Sequence, residues 1–242
     1  HPEGLSQSEI VERLELPKNS VFRITMTLLG RGYLDRDEAT KRFTPTRKMI
    51  GLGCSAMGDR SLVEKAWGIM CELRDRTKET VLLGTVLDHQ GVVLEQAPGT
   101  HPFKFLIDLG FRFDLHTAAP GKAMLAFMSE TDRRRIIEAM TFPRRTERTI
   151  TSAREFEKEL ERVRQHGYGI DWAEDVEGQH CLAAPVFNEH SVPVASLWIT
   201  APSARIPHTE FESTGRVIIE HARRISRRLG HTPTRQDEEI AA

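Results

Sequence analysis

Asp171, Cys181, His116 and His180 are the side chains of this chain whose types, taken together, could do chemistry. A thiol beside an imidazole can become a nucleophile, and a carboxylate, a thiol and an imidazole can hold a zinc ion. The spacing supports neither reading. A nucleophile and its base need a third, orienting group, and nothing in the sequence fixes one. His116, Asp171 and Cys181 follow no short zinc-binding pattern, and no Cys-x-x-Cys pair exists. Cys181 also opens an apolar run, and cysteine is among the residue types most often buried. A carboxylate and a thiol beside apolar strands can instead form the polar floor of a small-molecule cavity. No catalytic residue, metal ligand or cofactor is therefore assigned.

The stretch that must position Asp171 and Cys181 is GYGIDWAEDVEGQHCLAAPVFN, from Gly167 to Asn188. Gly167-Tyr168-Gly169 ends the element before it. Ile170 to Trp172 reads as a short strand, and Ala173 to His180 as an acidic, Gly-containing loop. Cys181 to Phe187 reads as a buried strand, and Asn188 to Ser191 as a turn. The carboxylate and the thiol then sit at opposite ends of the loop.

Composition limits the alternatives. The 242 residues suffice for one large or two modest domains, and 34 basic residues face 35 acidic ones. Any nucleic-acid footprint must therefore be local. Three separated cysteines, 54, 71 and 181, argue against a disulfide framework and fit a reducing cytoplasm. No apolar run approaches the ~18 residues of a membrane span.

That local footprint is expected at residues 1–50. Ser6 to Glu9 is a capping box opening a helix with Ile10, Val11 and Leu14 apolar. Pro17 starts a second helix, Lys18 to Gly30, whose Val21, Ile24 and Leu28 should face inward. Lys18, Asn19, Ser20, Phe22, Arg23 and Thr27 are left outside. Tyr33 to Thr44 reads as a hairpin carrying Arg36, Lys41 and Arg42. Between Lys18 and Lys48 eight basic residues face three acidic ones. Two helices at a tight turn, then a basic hairpin, form a winged helix-turn-helix pattern. Lys18, Asn19, Ser20 and Arg23 could reach base edges, and the hairpin cations the backbone of double-stranded DNA.

Residues 51–78 connect. Gly51-Leu52-Gly53 is a break, Ser61 to Glu64 a capping box, and Val63, Ala66, Trp67, Met70 and Leu73 an apolar stripe. The stripe packs either on the following domain or on a second chain. From Thr80 a hairpin turns at Asp88 to Gly91, and an aromatic-rich stretch runs from Phe103 to Phe113. A loop-to-helix entry follows at Pro120-Gly121. Capped helices follow Ser129 and Ser152, with a basic, solvated linker from Thr141 to Ile150 between them. A last strand spans Val192 to Thr200, a long helix Pro207 to Leu229, and a polar tail is expected to be disordered. The pattern is α+β with a mostly antiparallel sheet.

The order Gly167, three residues, Asp171, two residues, Glu174, six residues, Cys181-Leu182-Ala183, two residues, Val186-Phe187-Asn188 resembles the signature of the IclR family of bacterial transcriptional regulators. The run LPKNSVFR with LGRGYL resembles that family's recognition helix and following strand. The resemblance implies a winged helix-turn-helix (1–50), a linker helix (51–78), a GAF-like effector-binding domain (79–232) and a tail (233–242). Family members carry another helix before the position of Leu5, which implies that the first helix is missing from this chain. It also implies an operator-binding homodimer or dimer of dimers that senses a small organic acid. The effector positions implied are Phe105 and Phe113 as walls, Ala119, Pro120 and Gly121 at a helix start, and Asp171 and Cys181 on the floor. Trp198 and Thr200 complete them on the last strand. Family members that sense tiny acids carry small hydroxyl residues at those two positions. Thr200 keeps the hydroxyl, whereas the indole of Trp198 either shrinks the cavity or stacks on a flat ligand, and with Phe105 and Phe113 it points to an aromatic or otherwise flat acid. A sensor acting through protein partners, or a hydrolase using Cys181 or a metal, are the alternatives.

Overall fold

The computed structural model describes residues 3–46, 48–49, 61–87 and 89–232. Arg47, the Gly51–Gly53 break, the Ser61 side-chain cap, Asp88 of the hairpin turn and the tail 233–242 lie outside the described residues. The chain divides into two units, His1–Arg60 and Ser61–Ala242.

The first unit is small. Helix α1 spans Gln7–Leu14 and opens with the expected capping box: the Ser6 amide donates to Glu9 Oε2 at 2.7 Å and the Glu9 amide to Ser6 Oγ at 3.4 Å. Those bonds, helped by Arg42, hold the Glu9 carboxyl down at about 2. Helix α2 spans Lys18–Gly30 behind Pro17. Its inward face differs from the expected one by a position. Val21 and Thr25 are buried, whereas Ile24 is 50% exposed. Thr25 can face inward because its hydroxyl donates to the Val21 carbonyl at 2.9 Å. Strands β1 (Leu34–Arg36) and β2 (Phe43–Pro45) pair antiparallel, and Leu5 bridges to Phe43.

The second unit is a sheet between two helical layers. Strands β3 (Thr80–Leu87), β4 (Gln90–Ala97), β5 (Arg112–Phe113), β6 (Gly169–Trp172), β7 (Gln179–Phe187) and β8 (Pro193–Pro202) form one antiparallel sheet in the order β5-β4-β3-β8-β7-β6. Helix α3 (Ser61–Thr77) and the long α7 (Phe211–Arg228) pack together, α3 also against β3 and β4 and α7 against β7 and β8. Helix α4 (Ala119–Phe127) contacts β3, β4, β6, β7 and β8, with α6 (Ala153–His166) behind it. Helix α5 (Glu130–Ala139) follows α4 through a Ser129 cap.

Helix α3, from the connecting stretch 51–78, groups with the second unit, the first of the two packings open to its stripe. It buries Leu62, Ala66, Ile69, Met70 and Leu73, whereas Trp67 stays 43% exposed. Ile69 thus takes the inward place that the sequence stripe gives to Trp67. Helix α4 begins at Ala119, earlier than the Lys122 start read from the sequence, because Pro120 fits a first helical turn.

Candidate functional site

Strand pairing carries the site. Asp171 stands opposite Cys181, Cys181 opposite Thr200, and Thr200 opposite Thr80. Directly opposed residues share a face, so these four form one polar rung across β6, β7, β8 and β3. All are buried. The next rung is apolar: Ala183 stands opposite Trp198, and Trp198 opposite Leu82. Leu82, Val93, Ala119, Ala123, Cys181, Ala183 and Trp198 pack as one cluster, with Ile107 and Phe113 against it. The Phe113 and Trp198 rings meet edge to face at 5.7 Å. Room for them comes from glycines: a Cβ on Gly84 would stand 2.9 Å from the Trp198 ring, and one on Gly91 1.9 Å from that of Phe113.

The polar rung is internally bonded. Gln179 Nε2 donates to Thr200 Oγ1 at 3.0 Å and to Cys181 Sγ at 3.3 Å, and the thiol donates to Thr200 Oγ1 at 3.3 Å. Asp171 Oδ1 accepts from the amides of Glu174 at 2.7 Å and Asp175 at 3.4 Å. Burial pushes the Asp171 carboxyl up to about 7, against the opposing pull of Lys122. Burial likewise raises the Cys181 thiol far above its ordinary range, so it is a neutral hydrogen-bonding group and a poor nucleophile.

Lys122 is a buried cation that sequence reasoning did not single out. Its ammonium donates to the Ile170 carbonyl at 2.7 Å, pairs with Glu174 and lies 3.9 Å from Glu159. Burial raises the Glu174 carboxyl even so, and its Oε2 has no hydrogen-bond partner among the described residues. A lysine inside the apolar run Ala119–Phe127 was the available signal, since such a residue needs a buried anion. The linker Thr141–Ile150, read as solvated, is partly buried. Thr149 Oγ1 donates to the Glu174 carbonyl at 2.7 Å, Thr146 Oγ1 to that of Ala173 at 2.8 Å, and the Arg148 guanidinium lies 4.1 Å over the Trp172 ring. The loop after Asp171 is thereby pinned.

Several expected site residues lie elsewhere. Phe105 is outside the cluster: its ring meets Phe103 at 5.9 Å and its carbonyl accepts from Thr80 Oγ1 at 2.7 Å. Ile107, two residues on, packs against the cluster instead. Ala119 is in the cluster, and Pro120 in the first turn of α4 supplies no N–H. Gly121 serves close packing, because a Cβ there would come 2.5 Å from the Leu115 carbonyl oxygen. The imidazoles are apart from the thiol. His180 points to the opposite sheet face, its Nδ1 2.8 Å from the Ile206 carbonyl, because neighbours along a strand alternate. His116 lies 3.1 Å from the Pro143 carbonyl, and burial lowers its pKa. Among the described residues no group of three His, Cys, Asp or Glu side chains could hold a metal ion.

In the first unit, Lys18, Asn19, Ser20, Phe22, Arg23 and Thr27 all stand on the exposed side of α2. Ser20, Arg23, Ile24, Thr27 and Leu28 line a shallow concavity of about 410 Å³ there. The hairpin cations are more engaged. Arg42 donates to the Gly4 carbonyl at 2.8 Å and pairs with Glu9 at 3.1 Å, and Lys41 pairs with Glu38 at 2.8 Å. The Arg36 guanidinium lies 5.5 Å over the Phe43 ring.

The comparisons with known proteins agree across the chain. The family described as bacterial transcriptional regulator IclR C-terminal matches residues 54–227, and the IclR helix-turn-helix domain matches residues 1–38. The regulator KdgR of Escherichia coli K12 is 31% identical over 93% of this chain and 85% of its own length. BhcR of Paracoccus denitrificans is 29% identical over 98% of this chain and 85% of its own. Among solved structures, the Thermotoga maritima IclR superposes with a TM-score of 0.70 at 28% identity, covering 96% of this chain and 93% of that one.

Proposed function

This chain belongs to the IclR family of transcriptional regulators, and on that premise we propose that α2 reads operator DNA while the rung Asp171–Cys181–Thr200 receives a small organic acid. The protein is a DNA-binding regulator with a C-terminal effector domain, and its relatives are regulators rather than enzymes. One observation supports the placement of the effector: a buried polar rung lies directly beside a buried apolar one on the α4 face. Such a pair suits a molecule with a polar head and a flat apolar body.

In this reading Lys18, Asn19, Ser20, Arg23 and Thr27 face base edges and nearby phosphates. Arg36 and Lys41 lie along the backbone, and Arg42 steadies the hairpin against α1. Thr200, Cys181 and protonated Asp171 offer hydrogen bonds to the acid, and the edge-to-face pair Trp198 and Phe113 walls one side of its body. The neutral form of Asp171 matters, since a carboxylate there would repel an acid anion. Two chains pair so that two recognition helices meet a palindromic site, and the exposed Trp67 on α3 is the side chain that supports pairing. The test is a thermal-shift series on the full chain with benzoate, lactate and pyruvate. Stabilisation by benzoate that disappears in Thr200→Val supports the site. Stabilisation by lactate or pyruvate alone contradicts the flat-acid reading.

A further inference from the structure

A residue of the chain itself packs against the apolar half of the proposed effector site. The segment 98–111 has no regular secondary structure, yet it passes over the α4-face cluster. Its ends are tied by backbone bonds, Thr100 to Lys78 at 2.9 Å and Gly110 to Val93 at 2.8 Å. Between them, among the described residues, two hydrogen bonds hold the backbone of 103–108 to the rest of the unit. Thr80 Oγ1 donates to the Phe105 carbonyl at 2.7 Å, and the Ile107 amide donates to Gln96 Oε1 at 2.8 Å. Phe103, Leu106 and Leu109 point outward, 64%, 62% and 53% exposed, and contribute little burial. Ile107 alone of these packs inward, against the cluster that holds Trp198 and Cys181.

We propose that Ile107 is a plug and residues 103–109 a strap, and that an effector enters by displacing Ile107 while Gln96 sets how readily the strap lifts. The proposal rests on reading the cluster as the effector site. Its physical basis is the low density of ties: a stretch without ladder bonds, pinned by two side chains and with exposed apolar residues, opens at a lower free energy than the strands beneath. The closed form competes with the effector, so apparent affinity is reduced by the fraction of molecules that are open. Gln96 is thus a positioning residue for the sensing site, acting through Ile107.

The test needs no knowledge of the natural effector. A full-length Trp67→Phe, Trp172→Phe chain keeps Trp198 as its one indole, since the chain has three tryptophans. Its quenching by acrylamide reads access to the cluster, and hydrogen exchange at the Ile107 amide reads the strap itself. Gln96→Ala should raise the quenching constant at least about twofold and speed exchange at Ile107 about tenfold, an effect of about 1.4 kcal/mol on opening, while amides of β8 keep their rates. Gln96→Glu keeps the acceptor and should restore protection. Unchanged quenching and exchange in Gln96→Ala, or acceleration shared equally by β8, would overturn the plug whatever the protein binds. If the strap opens in Gln96→Ala but benzoate, lactate and pyruvate all fail to bind either chain, the plug stands and the effector reading falls.

Discussion

The two units spend their chemistry in opposite places. In the first, the distinctive side chains stand outside: Lys18, Asn19, Ser20 and Arg23 are exposed, and burial is limited to Val21, Thr25, Phe43 and a few neighbours. In the second they are inside: Asp171, Cys181 and Thr200 on the sheet and Lys122 on α4 are all buried. An exposed polar group costs nothing to keep and is available to a polyanion. A buried one must be paired, so its removal is felt by the fold as well as by the ligand. The same kind of substitution should therefore have different consequences in the two units.

The largest effect is expected at Lys122. Lys122→Met leaves the Glu174 carboxylate buried without its cation and should cost about 3–5 kcal/mol of stability in the second unit, read by urea unfolding. A loss below about 1 kcal/mol would mean that the pair is solvated. Next is Arg23→Ala, which should weaken operator binding by about 1–3 kcal/mol in a gel shift at fixed salt, with unfolding unchanged within about 0.5 kcal/mol. Equal operator affinity would remove Arg23 from the reading surface. If both mutants lost stability to the same degree, the contrast between the units would not hold.

A subtler break concerns pH. The folded Asp171 keeps its proton up to about 7, whereas the unfolded carboxyl loses it near 3.8. Between those values the folded chain binds more protons, so this residue's contribution to stability falls as pH rises and is lost on passing about 7. Asp171→Asn should flatten that decline between pH 4 and 7. Parallel pH profiles of the two chains would show that Asp171 is ionised throughout. The smallest effect belongs to Thr149→Val, which removes the bond to the Glu174 carbonyl and should cost about 1 kcal/mol, with faster amide exchange in the loop after Asp171.

Much of this contrast was legible in the sequence, and the rest was hidden for definite reasons. Capping patterns at Ser6, Ser129 and Ser152 act within one turn, so they appear in the sequence and recur in the structure. The short apolar runs of β7 and β8, bounded by turn residues, likewise made the buried strands readable. Face assignment in α2 failed at Ile24, because a threonine that bonds its own helix can replace an aliphatic residue on the inner face. The polar rung depends on register between strands far apart in the chain, so Thr80 could not be joined to Asp171 and Cys181 by spacing, whereas Gln179, two residues before Cys181 on β7, was hidden by reading 173–180 as a loop. Phe105 entered as a wall through the family resemblance alone, and Ile107 carries no mark in the sequence; the bonds from Thr80 to the Phe105 carbonyl and from the Ile107 amide to Gln96 fix which side chain turns inward. The charge run after Thr141 looked solvated because its threonines, rather than its arginines, make the buried contacts.

The central claim is that the buried site of the second unit governs the exposed helix of the first. Fluorescence anisotropy of DNA from upstream of the neighbouring operon, titrated with the full chain with and without saturating benzoate, measures this directly. The account predicts that the acid changes operator affinity by about 5- to 150-fold, the usual range of coupling between two sites, and that Thr200→Val loses the change while binding the DNA as before. Operator affinity that ignores an acid shown to bind, or a response that persists in Thr200→Val, would contradict it.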